Sequence, residues 1–247
     1  MNKDDHGYFQ WVAHRGYPSK YPENTRLGFE KAIESGARRI EADVQMSADQ
    51  VPVIFHDQTL TRLCGVKGTV HRASKAHLDQ LSAFEPSRFG NRFKGVRLMD
   101  LEDMVALMGR NPEIELYLEI KRIALQAFGV NQVLDQLLPL IEPIKDRVIL
   151  ISFSVFALKA ASSRGYLRLG PVLTRWSQLQ QLSVLKLKPE VVFLNHRRFP
   201  IGAHYDNSNM KLAFYEISDI RLADRLAKRG ASFIETDAIG EMIAASV

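Results

Sequence analysis

Four short stretches of the chain carry side chains suited to chemistry: His14-Arg15-Gly16, Glu41-Ala42-Asp43, His56-Asp57 and Glu119-Ile120-Lys121. Side chains alternate between the faces of an extended strand, so Glu41 and Asp43 share one face, as do Glu119 and Lys121. Brought to one end of a fold, Glu41, Asp43 and Glu119 would repel one another unless a cation or raised pKa values relieved them. A divalent cation is the simplest relief. With oxygen donors, and no cysteine or histidine pair at zinc spacing, the set favours a hard ion, Mg2+ or Ca2+, over Zn2+. His14 and His56 carry groups that can titrate near neutral pH and pass protons. Arg15 and Lys121 supply positive charge for an anionic oxygen. One metal, two imidazoles and two cations together predict hydrolysis of a phosphate ester.

These residues can meet only if the chain lays their strands side by side. Short β-branched or aromatic runs alternate with stretches of helical spacing, the pattern of a parallel sheet with crossover helices. The spacing predicts strands over Phe9–His14, Arg39–Val44, Leu116–Lys121, Val148–Ser152, Leu167–Leu173, Val191–Asn195, Lys211–Ile217 and Ser232–Thr236. Helices are predicted over Thr25–Ser35, Leu101–Met108, Asn131–Ile141, Val155–Ser163, Trp176–Leu185 and Ile220–Arg229, with Asn24 placed to cap the first of them.

One more extended run, Val51–His56, follows the strand of Glu41 too soon for a parallel crossover, which needs about a dozen residues or more, so it is expected to fold back as a hairpin arm. Without that arm about eight strand-and-helix units remain, which predicts an α/β fold, a (β/α)8 TIM barrel with a small hairpin-and-loop insertion after the second strand. Residues 1–247 read as a single barrel domain, and 59–98 as an inserted excursion within it. Barrel enzymes work at the C-terminal ends of their strands. Glu41, Asp43 and Glu119 are expected to face the barrel mouth, while Ile40, Ala42, Val44, Leu116, Leu118 and Ile120 pack outward on the helices.

Composition excludes several other classes. The 247 residues are 46% apolar and 25% charged, as in an ordinary globular protein and unlike a disordered chain. Lysine and arginine exceed the acids by 33 − 28 = 5, a diffuse excess whose densest clusters, Arg38-Arg39 and His196-Arg197-Arg198, are too short for a nucleic-acid arm. No apolar run approaches the roughly 20 residues of a membrane span, so no stable membrane insertion is expected. The opening MNKDDHGYFQ lacks the order of a secretory signal, which makes a cytoplasmic location the expectation. Cys64 is the one cysteine; it can form no internal disulfide and has no paired base to make it a nucleophile. The partner expected is therefore a small phosphate ester, with no nucleic acid; the oligomeric state is left open.

Taken in order, these motifs resemble one family. The segment Ala13–Leu60, with His14-Arg15-Gly16, Pro22-Glu23-Asn24-Thr25, Glu41-Ala42-Asp43-Val44 and His56-Asp57, is similar to the glycerophosphodiester phosphodiesterases. Glu119-Ile120-Lys121, Ser152-Phe153 and Thr236-Asp237 fit later motifs of that family. The resemblance implies metal binding by Glu41, Asp43 and Glu119, acid/base catalysis by His14 and His56, and phosphate contacts from Arg15 and Lys121. It implies cleavage of glycerophosphodiesters to glycerol 3-phosphate and an alcohol, with either the glycerol 2-hydroxyl or water as the attacking oxygen.

Two departures concern the substrate. Phe214-Tyr215-Glu216-Ile217 stands where the family often has an aromatic-Thr-Val-Asn stretch, and Glu235 where an apolar residue is common. A lysophospholipid substrate, or a barrel that binds a phosphorylated ligand without turnover, are the alternatives. Phe153, Tyr215 and the pair Phe89 and Phe93 are candidates for an apolar wall beside the phosphate. His71, His77, His196 and His204 lie outside the motifs and are expected at the surface.

Overall fold

A computed structural model describes residues 9–206 and 209–246. Most of the opening stretch MNKDDHGYFQ, on which the expectation about a leader rests, lies outside the described residues. Ten strands follow in chain order: β1 (Gln10–Ala13), β2 (Arg39–Met46), β3 (Pro52–Ile54), β4 (Met99–Asp100), β5 (Glu115–Ile120), β6 (Val148–Ser152), β7 (Leu169–Leu173), β8 (Val191–Asn195), β9 (Lys211–Tyr215) and β10 (Phe233–Thr236). All but β3 and β4 are parallel, in the order β1-β10-β9-β8-β7-β6-β5-β2, and Ala13 opposite Ile40 joins β2 back to β1. The result is the closed (β/α)8 TIM barrel that the alternation predicts.

The hairpin arm also forms: β3 runs antiparallel on β2, with Ile54 opposite Val44. Its outer neighbour β4 is a two-residue strand too short to leave a sequence pattern, and Asp100 at its end caps the helix Leu101–Arg110 by accepting from Asp103 N at 2.8 Å. Residues 59–98 gather a small core of their own, in which Leu60, Leu63, Cys64, Val70 and Leu78 pack on Val53 and Phe55 of the arm. Burial pushes the Cys64 thiol up to about 12, which leaves it inert as a nucleophile.

Three helical readings change. Trp176–Leu185 is a 3-10 segment over Trp176–Gln180 followed by one α-turn over Leu182–Leu185, because the Gln178 carboxamide folds back to accept from the amides of Thr174 and Arg175. Helices at Arg122–Phe128 and Ile239–Ala245 were not expected from the periodicity; both are seven residues, too short for a clear repeat. Thr25, not Asn24, caps the helix Arg26–Glu34, its hydroxyl accepting from Gly28 N at 3.1 Å. Among the described residues no helix is long and apolar enough to cross a membrane.

Alternation along the strands builds two cores. Ile40, Ala42, Val44, Leu116, Leu118, Ile120 and Leu150 point out and pack between strands and helices. Val12, Tyr117, Ile149, Ile151, Val172, Phe193 and Phe233 point in and fill the barrel, with the Tyr117 ring 5.3 Å from that of Phe193. At its N-terminal end, Glu115 pairs with Arg39 and Arg168 at 3.3 and 2.6 Å. The same inward parity places acids at the other end, where Glu41 lies opposite Tyr117 and Glu119 opposite Ile151, and they form the site.

Candidate active site

Glu41 and Asp43 on β2 and Glu119 on β5 stand side by side because β2 and β5 pair in register, with Asp43 opposite Glu119. One carboxylate oxygen from each lies within 4.8 Å of the others, and all three residues are buried. Burial, and Asp43 beside them, push the carboxyls of Glu41 and Glu119 above the usual carboxylate range. Asp43 goes the other way: burial opposes its charge, but Arg15 and Lys121 outweigh burial and hold it well below that range.

The turn after β1 brings Arg15 over this cluster. Arg15 and Gly16 both take left-handed backbone, at φ +52° and +89°. A Cβ at Gly16 would lie 2.7 Å from the Gly28 carbonyl carbon, so only glycine lets the turn rest on the first helix. Arg15 N then donates to Glu41 Oε2 at 3.1 Å, and its guanidinium reaches Asp43 Oδ2 at 3.0 Å and Glu23 Oε1 at 3.3 Å. Lys121 Nζ lies 3.0 Å from Asp43 Oδ1 and 2.9 Å from Glu119 Oε1. These are ion-pair distances without hydrogen-bond geometry, so both buried oxygens accept no hydrogen bond among the described residues. Three adjacent buried carboxylates, two of them with an oxygen that accepts no hydrogen bond, fit a hard divalent cation.

Both imidazoles are held alike. His14 Nδ1 sits 2.6 Å from Asp237 Oδ1, and His56 Nδ1 sits 2.8 Å from Asp57 Oδ1. His14 Nε2 is 3.9 Å from Glu41 Oε2. Burial disfavours the charged form of His14, but Glu235, then Asp237 and Glu41, outweigh it and raise the imidazole to about 10. Gln45, buried on β2, donates from Nε2 to the carbonyls of Phe55, His56 and Asp57 at 3.0, 2.9 and 2.6 Å, which pins the loop that carries His56.

Behind them runs a charged frame from the excursion. Arg62 donates to Asp57 Oδ2 at 2.7 Å, to Glu23 Oε1 and Oε2 at 2.7 and 2.8 Å, and to Glu85 Oε1 at 3.2 Å. One guanidinium thus steadies the partner of His56 and the partner of Arg15 together.

A cavity of about 110 Å3 opens among these groups, lined by His14, Arg15, Glu41, His56, Glu119 and Lys121, with Phe153 and Tyr215 on its wall. The candidates named for acid/base and phosphate contacts therefore meet there with Phe153 and Tyr215, and Asp43 lies behind them. Phe89 and Phe93 do not: they pack edge to face on each other at 5.0 Å, Phe93 meets Tyr21, and neither lines the cavity. Nor do His71, His77, His196 or His204. Motif reading missed the parts played by Asp237 and Arg62, and left open whether Glu235 joins the site. Asp237 and Glu235 share the inward parity of Phe233 and could have been placed by it, whereas Arg62 has no local signal. Glu235 is buried in the cavity wall and does not face solvent, and burial raises its carboxyl to about 7.

Residues 14–239 match the Glycerophosphoryl diester phosphodiesterase family. The chain is 33% identical over 153 residues to a glycerophosphodiester phosphodiesterase of Caldanaerobacter subterraneus, covering 60% of this chain and 59% of that protein. It is 31% identical over 141 residues to one from Bacillus altitudinis, covering 57% and 56%. These matches thus span less than two thirds of the relatives' own length. Among solved structures, a phosphodiesterase from Oleispira antarctica in complex with the product sn-glycerol-3-phosphate superposes with a TM-score of 0.83 at 23% identity, over 96% of each chain. The Thermotoga maritima glycerophosphodiester phosphodiesterase does so with a TM-score of 0.72 at 20% identity, over 95% of this chain and 97% of that one. With a family match that runs from the first site histidine past Asp237, this chain belongs to the glycerophosphoryl diester phosphodiesterase family.

Proposed function

We propose that this chain hydrolyses glycerophosphodiesters to glycerol 3-phosphate and an alcohol, with a divalent cation, Mg2+ or Ca2+, and with His14 and His56 as acid and base. The observation that carries this reading is the pair of imidazoles, each with Nδ1 on a carboxylate, lining one cavity with a buried three-carboxylate cluster. Anchoring at Nδ1 leaves Nε2 of each ring for proton transfer: one ring takes the proton of the attacking oxygen and the other gives one to the leaving alcohol. A cation held by Glu41, Asp43 and Glu119 would supply Lewis-acid stabilisation of the phosphoryl oxygens. Arg15 and Lys121 add donors for the same oxygens, and Phe153 and Tyr215 bound the space beside them.

An open groove of about 520 Å3 leaves the cavity between His56 and Phe153, with Thr59, Ile123 and Thr174 on its walls. It offers room for the leaving alcohol or for an acylated glycerol, which makes a lysophospholipid the second substrate to test. A cytoplasmic location is part of this proposal, and cell fractionation tests it.

The deciding experiment follows alcohol release from sn-glycero-3-phosphocholine, sn-glycero-3-phosphoethanolamine and lysophosphatidylcholine with Mg2+, with Ca2+ and with EDTA. Turnover restored by one ion and abolished by chelator is expected. Turnover indifferent to EDTA would remove the cation, and no turnover on any of the three would leave a ligand-binding barrel.

A further inference from the structure

Glu235 lies on the inner face of β10 and is 4% exposed. Its direct sheet partner on β1, Val12, is apolar, as are Ile151, Val172 and Phe193 on the far wall of the same cavity. The other buried acids of the site all have partners: Glu41 accepts from Arg15, Asp43 from Asn24 and Glu23 from Arg62, while Glu119 is ion-paired with Lys121. Glu235 differs. Among the described residues no hydrogen bond or ion pair reaches its carboxylate, although it lines the cavity.

Buried polar groups in folded proteins are nearly always satisfied, so an acceptor left open inside a binding cavity is matched by a donor that arrives with the ligand. A phosphodiester oxygen cannot be that donor, because it is anionic and carries no proton. The cation cluster does not include Glu235, since the oxygens close enough to share an ion come from Glu41, Asp43 and Glu119. In its ionised form Glu235 can accept from the donors such a ligand carries beside the phosphoryl group, the hydroxyls of its glycerol moiety. We infer that Glu235 is a specificity-determining residue that accepts a hydrogen bond from a hydroxyl of the substrate's glycerol moiety, and so selects hydroxylated over deoxygenated ligands. This rests on the diesterase reading above. A pocket built to hydrogen-bond a hydroxyl rejects the analogue that lacks it, because the buried acceptor is then left unpaired.

The test compares glycerol 3-phosphate with propyl phosphate, its analogue without hydroxyls, by calorimetry in the presence of Mg2+. Wild-type protein is expected to bind glycerol 3-phosphate about 10- to 100-fold more tightly. Glu235→Leu should reduce that preference to within about threefold, and the isosteric Glu235→Gln, whose amide oxygen still accepts, should keep part of it. Circular dichroism and thermal melts check that each variant is folded, and Glu235→Gln carries the test if Glu235→Leu is not. A wild type without preference, or Glu235 variants that keep the full preference, would overturn the inference. Failure of the diesterase reading shows elsewhere, as absence of turnover of sn-glycero-3-phosphocholine by the wild type, and the binding comparison does not depend on turnover.

Discussion

Asn24 and Asp43 exchange two hydrogen bonds: Asn24 Nδ2 donates to Asp43 Oδ2 at 2.8 Å, and Asp43 N donates to Asn24 Oδ1 at 3.3 Å. Asn24 takes left-handed backbone at φ +54° and is fully buried, so the loop before the first helix exists in this form to aim one carboxamide at one carboxylate. Asp43 also pairs with Arg15 through Oδ2 and with Lys121 through Oδ1, and Asn24 fixes the orientation of the carboxylate between them.

Asn24→Ala should therefore weaken divalent-ion binding by about 10- to 100-fold, the usual effect of removing a group that orients a ligand. Leaving Asp43 N and Oδ2 short of a partner should also cost about 1–3 kcal/mol of stability. Titration calorimetry with Mg2+ and urea unfolding read the two effects separately. Unchanged ion affinity in a folded variant would detach Asn24 from the cation site.

His14→Ala and His56→Ala should each lower kcat by about 100-fold or more with the fold intact. Asp237→Asn tests the anchoring of His14, since it keeps the shape of the contact at 2.6 Å but removes the charge that fixes the ring. Its kcat should fall while KM changes little. Steady-state kinetics on sn-glycero-3-phosphocholine distinguish this from a loss of substrate affinity, which would appear in KM.

Arg62 joins Glu23, Asp57 and Glu85, and Glu23 is 5% exposed. Arg62→Ala strands a buried carboxylate and should cost about 3 kcal/mol, the low end for breaking a buried pair because the guanidinium is partly exposed. Arg62→Lys cannot reproduce the forked contacts and should recover only part of that stability. Thermal melts of the three proteins, with equal midpoints as the contrary result, settle the point.

Acid sensitivity follows from Asp57. Burial alone would raise its carboxyl, but the hydrogen bonds from His56 and Arg62 outweigh burial and hold it below the usual range. A carboxyl depressed in the folded state adds stability above its unfolded value, near about 4, and loses it as the pH falls through the folded value. The urea midpoint of the wild type should therefore drop as the solution is acidified below about pH 4. Asp57→Asn should lower the midpoint at neutral pH and flatten its decline in acid. An unchanged acid slope in the variant would show that other carboxyls carry it.

The alternation of apolar and acidic residues in Ile40-Glu41-Ala42-Asp43-Val44 and in Leu116 to Lys121 determined by itself that Glu41, Asp43 and Glu119 turn inward together, because each apolar neighbour must reach the helix layer. The same period-two pattern, repeated between helical stretches, determined the closed parallel barrel and the backward fold of Val51–His56. Only the tertiary structure decided the contacts that tune the site. His14 meets Asp237 across 223 positions of sequence, Arg62 meets Glu23 across 39, and Asn24 meets Asp43 across 19. Local periodicity reports which face of a strand a residue occupies. It holds no information about which residue of another element comes opposite, or whether a carboxylate such as Glu235 finds a donor once the barrel has closed.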